Sequence, residues 1–140
     1  NNSLEDGCLN LSESNISYEI LNQILPLLSV LNIKKLNLRH NHFGEDGAKA
    51  LATTLETNES LTHLNLGGNK IGTTGAKALA KALEENTSLT ELHLCCNNIG
   101  DTETKAVATA IQKNATLKNA GLPISPDDRM ICLQIVPTLG

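Results

Sequence analysis

Apolar residues recur along this chain with two alternating periods. In Leu61-x-x-Leu64-x-Leu66 a single polar position separates the last two leucines, the period of a strand with one buried face. Ala76, Leu79, Ala80 and Leu83 then fall at intervals of three and four, the spacing of a helix with one apolar stripe. The pair of patterns repeats. Ile33, Leu61, Leu89 and Leu117 stand 28 residues apart, as do Leu38, Leu66, Leu94 and Leu122, and Asn41, Asn69 and Asn97. A weaker copy, one residue shorter, precedes them and carries Leu9, Leu11, Ser14 and Ile16 at the corresponding places.

One short strand and one short helix cannot bury their own apolar faces, so neighbouring units must stack. Equal connections make the strands parallel, each beside its copy at about 4.8 Å, with the helices in a second layer. The strand layer takes less length per unit than the helix layer, so the stack should curve with its strands inside. The expected fold is an α/β right-handed solenoid, a horseshoe arc with a parallel concave sheet and convex helices. Small residues, Gly47, Ala48, Gly75 and Ala76, suit close helix–helix contact. Thr73 and Asp101 have the chemistry of helix N-caps. Asn58, Asn86 and Asn114 stand where helices must stop, and asparagine tolerates the left-handed conformation that stopping often uses. The organisation is one domain over 1–140: a partial unit at 1–32, three regular ones at 33–116, and a partial one at 117–140.

The frame L-x-x-L-x-L-x-x-N-x-I-G, followed by an Ala-Leu-Ala helix such as Ala78-Leu79-Ala80, resembles the leucine-rich repeat family in its ribonuclease-inhibitor-like subclass. The resemblance runs over roughly residues 6 to 125 and departs at Ser14 and Ser125, which replace the asparagine, and at Glu103, which replaces a glycine. It implies protein binding on the concave face, as in the sensing regions of NOD-like receptors and in some bacterial effectors. By analogy with ribonuclease inhibitors, one concrete form is an inhibitor or regulator that occludes a partner enzyme.

The two ends read differently. In the first helix Ile20, Leu21, Ile24, Leu25 and Leu28 keep helical spacing, Pro26 should kink or shorten it, and Leu27 and Val30 have no evident inner partner. At the other end Ser125-Pro126-Asp127-Asp128 looks like a helix start, leading into a capping helix over Met130 to Ile135.

Charge narrows the classes of partner. With 11 basic and 15 acidic residues the net charge is −4, which gives no pull toward nucleic acid or an anionic membrane. The apolar run from Ile24 to Leu31, interrupted by Pro26 and Ser29, is too short to span a bilayer. Cys8, Cys95, Cys96 and Cys132 have no regular spacing and are read as free thiols of a reducing, cytoplasmic compartment, or of the host cytosol for an injected effector.

The asparagine column Asn41, Asn69, Asn97 is read as structural, satisfying backbone groups in the turns above and below. The outward columns vary from repeat to repeat, and from them come the candidate contacts: Lys35, Arg39, His40, His63, Gly67, Gly68, Glu91, His93 and Cys95. Gly67 and Gly68 should leave a bare notch between Arg39/His40 and Cys95/Cys96, and Arg39 offers a donor fork for a carboxylate. Two alternatives remain. The chain could be an interaction or sensor segment of a larger receptor or effector, docked through its apolar N-terminal unit. Last comes a metal- or thiol-dependent activity: His63, His93 and Cys95 could approach one zinc ion, but no C-x-x-C or H-x-x-x-H spacing supports it. An open sheet also lacks a water-excluding pocket, so no enzyme, cofactor or small-molecule substrate is expected.

Overall fold

The computed structural model describes residues 7–114, 116–117, 119–123 and 132–135. Strands β1 (Cys8–Asn10), β2 (Lys35–Asn37), β3 (His63–Asn65), β4 (Glu91–His93) and β5 (Asn119–Pro123) lie side by side in chain order, all parallel. Register follows the repeat: Lys35 pairs with His63 and His63 with Glu91, while Leu36, Leu64 and Leu92 align beside them. Between the strands run α1 (Tyr18–Ile24) and α2 (Leu27–Val30), then α3 (Gly44–Thr57), α4 (Gly72–Glu85) and α5 (Asp101–Lys113). One continuous core joins the strand leucines to Leu51, Leu55, Leu79, Leu83, Val107 and Ile111 of the helices.

Side-chain volume sets how closely the helices approach. A Cβ on Gly75 would stand 2.8 Å from the Ala48 Cβ of α3, so the small residues do permit the α3–α4 contact. Gly47 serves its own repeat instead, leaving room for the buried ring of Phe43.

Two amide ladders hold the layers together. Asn41, Asn69 and Asn97 are buried, and the Nδ2 of each donates to the leucine carbonyl of its own repeat and of the one before, as Asn69 does to Leu66 O (3.0 Å) and Leu38 O (2.8 Å). Each Oδ1 accepts from the preceding turn: Asn41 N donates to Asn69 Oδ1 at 3.0 Å, and Asn69 N to Asn97 Oδ1 at 2.7 Å. The structural reading of this column is thus observed, bond by bond. Asn58, Asn86 and Asn114 form a second ladder at the helix ends. Their Oδ1 atoms accept two backbone N–H groups each, as Asn86 does from Ser88 and Leu89 at 2.9 and 2.8 Å, while Asn86 Nδ2 donates to Leu55 O at 2.9 Å.

The second ladder corrects the expected reason for helix termination. These residues are extended, with φ near −73° at Asn58 and Asn86, not left-handed. They stop the helix by offering better partners to the chain that leaves it. The expected N-caps also differ. Gly72 opens α4, so Thr73 lies inside the helix, and the cap of α5 is Gly100, with Asp101 the first helical residue. The neighbouring repeat supplies the missing acceptor, since Gly44 N and Gly72 N donate to the carbonyls of Asn69 and Asn97 at 3.0 and 2.9 Å.

At the N-terminal unit the helix is shortened at Pro26, ending at Ile24 and resuming as the separate α2; Leu21, Leu25 and Leu28 are buried, but Ile20 is exposed. At the other end Cys132–Ile135 is not helical. It forms β6, antiparallel to β5 with Pro123 opposite Cys132, and closes an edge that β5 would otherwise present unpaired. Ser125 to Asp128 lie outside the described residues.

Candidate functional site

Strand alternation sends Leu36, Leu64 and Leu92 into the core and their neighbours to the opposite face of the sheet. On that outer face the register brings four of the expected residues together. His93 Nε2 lies 2.8 Å from Glu91 Oε2, and His63 Nε2 lies 3.6 Å from Glu91 Oε1, so two imidazoles from adjacent strands converge on one carboxylate. Lys35 is next in the column. The carboxylate and its two imidazole partners are each about one-third exposed, at 34% for Glu91, 37% for His63 and 33% for His93. They line a shallow depression of about 380 Å³, whose rim also includes Asn37 and Asn65.

The hydrogen bond from His93, above all, holds the Glu91 carboxyl below its ordinary range; partial burial opposes this, and the charges of His93, His63 and Lys35 lower it further. The site is an ionised carboxylate ringed by three cationic or ionisable nitrogens. Its basic nitrogens can donate hydrogen bonds to an anionic group, and Cys8 lines the same depression.

Asn37 and Asn65 belong to the frame. Their Oδ1 atoms accept from Arg39 N and Gly67 N, both at 3.0 Å, and so turn the chain at each strand end. His93 occupies the same column and uses its side chain for Glu91 instead. That departure was visible in the sequence, where His93 interrupts an asparagine series.

The remaining candidates sit beyond the strand ends and do not join this cluster. Arg39 Nε donates to His40 Nε2 at 3.2 Å, so the guanidinium is engaged by its neighbour. The notch expected at Gly67 and Gly68 is not bare. A Cβ on Gly68 would collide with the His40 ring, and Gly67 is buried against Asn65, Cys95 and Arg39. Glu13, His40, Gly68 and Cys96 share left-handed backbone, with φ of 53°, 57°, 69° and 63°. The diversity of this column therefore sits on a fixed turn.

Cys95 is disulfide-bonded, which overturns its reading as a free thiol and withdraws it as thiolate ligand or nucleophile. Cys8 and Cys96 are half-buried. Among the described residues no group of three or more His, Cys, Asp or Glu side chains is arranged to hold a metal ion, and no helix is long and apolar enough to cross a membrane.

Comparison with known proteins places this geometry. The family model described as "TMOD/LMOD Leucine-rich domain" matches residues 1–136. A solved structure titled "Leiomodin-1 Actin-Binding Site 2 (ABS2)" is similar at 30% sequence identity and a TM-score of 0.75, covering 83% of this chain and 69% of that one. Comparison with curated proteins gives no match. The repeats are leucine-rich repeats on an α/β framework, but the matching family is not the ribonuclease-inhibitor-like subclass of NOD-like receptors and bacterial effectors. The physical reason is that the L-x-x-L-x-L-x-x-N frame records core packing and the amide ladder. Neither demands a subclass.

Proposed function

Because the chain belongs to the TMOD/LMOD leucine-rich domain family, we propose that it is a non-catalytic protein-binding module whose partner is actin. The family match across residues 1–136 carries this reading, and the similarity to a leiomodin-1 segment titled as an actin-binding site supplies the partner. In this reading the 140 residues form one short solenoid domain, a horseshoe arc whose concave sheet face carries the contact. Lys35, His63, Glu91 and His93 are its centre, with Arg39, His40, Gly67, Gly68 and Cys95 at its margin. No enzyme chemistry, cofactor, nucleic acid or membrane enters. Placement in the cytoplasm follows from the partner and no longer from the cysteines.

Cosedimentation with filamentous actin tests it, with monomeric actin as a second arm. The chain should pellet with the filaments, and Arg39→Glu/His63→Glu/His93→Glu should weaken the association at least about tenfold through charge reversal at the contact. Equal pelleting of both proteins would move the contact to the helices or ends. Failure to bind either form of actin would remove the partner.

A second reading rests on the N-terminal unit, where Val30 is 76% exposed and Leu27 and Leu31 are 47% and 48% exposed. There the module is an interaction segment of a larger receptor and docks through this apolar end. Self-association that Leu27→Glu abolishes, detected by light scattering, would favour it.

A further inference from the structure

The His63–Glu91–His93 cluster holds its charge in an unusual arrangement for a surface. Isolated exposed ion pairs contribute little and need no convergence. Here imidazoles from β3 and β4 close on one carboxylate, at 3.6 and 2.8 Å, at the floor of a depression that Lys35 also borders. Among the described residues that line it, Glu91 is the one carboxylate, and Lys35, His63 and His93 carry the basic nitrogens. Arg39 and His40 are occupied with each other beyond the strand ends. The seat is therefore built for one carboxylate, and the chain's own Glu91 fills it.

We infer that Lys35, His63 and His93 form a carboxylate-binding site for an acidic segment of a protein partner, and that Glu91 is the internal stand-in which that segment displaces. The inference rests on the reading of the sheet face as a protein-binding surface and narrows it to the chemistry of the bound segment. His63 is held from its other side as well, with Nδ1 2.8 Å from Thr62 Oγ1, which keeps Nε2 turned toward the carboxylate.

The test uses the full chain and a fluorescent hexaglutamate peptide, read by anisotropy at about pH 7, where the probe's carboxyls are ionised. Glu91→Gln should bind it about tenfold tighter than the unaltered chain, because the competing carboxylate is gone. Lys35→Gln/His63→Gln/His93→Gln, alone or added to Glu91→Gln, should bind it at least about tenfold more weakly than Glu91→Gln while melting at the same temperature as the unaltered chain. A Glu91→Gln protein no tighter than its parent, or a triple variant that still binds, would overturn the site. Actin cosedimentation of the same proteins keeps the two proposals separate. Lost actin binding with an intact peptide response removes actin and leaves the carboxylate seat. Intact actin binding with no effect of Glu91→Gln removes the seat and leaves actin.

Discussion

Residues 63 and 64 are adjacent on β3 and obey different rules. Leu64 faces the core, where its copies Leu36 and Leu92 are leucine again and are likewise buried. His63 faces outward, and its copies are Lys35 and Glu91. The two columns share one backbone, one register and one repeat period. Packing density constrains the inner column to a single shape, whereas the outer one is free to assemble a charge pattern across strands. What repeats in this protein holds it together. What fails to repeat gathers into the His63–Glu91–His93 cluster.

The contrast can be broken most severely from the inside. Leu64→Ala should destabilise the protein by about 4 kcal/mol, the cost of lost transfer plus cavity, whereas His63→Ala should stay within about 0.5 kcal/mol. Denaturant unfolding measures both, and similar costs would erase the distinction between the faces. Next in size is Asn69→Ala, which orphans the buried N–H of Asn41 and empties a buried amide site. About 3 kcal/mol is expected, against about 1 kcal/mol for the exposed Asn98, whose left-handed backbone an alanine tolerates less well.

A smaller effect sharpens the boundary between frame and surface. Gly68→Ala should cost about 1–2 kcal/mol through its left-handed backbone and its contact with the His40 ring. His40→Ala should return part of that loss in a double-mutant cycle; full additivity would mean that the two positions do not touch. The smallest effect belongs to Glu91. Its folded carboxyl titrates lower than in the unfolded chain, so it stabilises the protein fully above the ordinary glutamate value. That contribution disappears as pH falls through the lowered folded value. Glu91→Gln should flatten this part of the stability–pH curve by less than about 1 kcal/mol, because the carboxylate is one-third exposed and solvent screens it.

The frame was largely legible because its signals are periodic. Leucines at 28-residue intervals prescribe the register that β2, β3 and β4 adopt, and Asn41, Asn69 and Asn97 announce buried amides. Asn58, Asn86 and Asn114 were equally regular, yet their role was assigned to backbone conformation. The bonds that explain them reach a neighbouring repeat 28 or 31 residues away, as in Asn114 to Asn86 O and Leu83 O. Local turn chemistry cannot display such a partner. At Cys132–Ile135 the short apolar stretch fits either period, and the empty edge of β5 decides for a strand. The site was legible only as columns. Register placed Lys35, His63 and Glu91 in line, but that Glu91 would draw in both histidines depends on side-chain angles. The disulfide of Cys95 had no spacing to announce it.

The amide ladder also gives the repeats a word order. Asn41, Asn69 and Asn97 all reach toward the unit that precedes them: Asn41 Oδ1 takes the N–H groups of Ser14 and Ile16, both at 2.9 Å, and none of these amides serves the unit that follows. A unit carrying the asparagine can therefore stand behind any other and complete it. The first unit, with Ser14 in that place, can be completed but cannot complete. Moved to the middle of the array, it would leave the turn before it with unanswered N–H groups. A copy of the second, third or fourth unit would carry this amide with it, and a copy of the first would not.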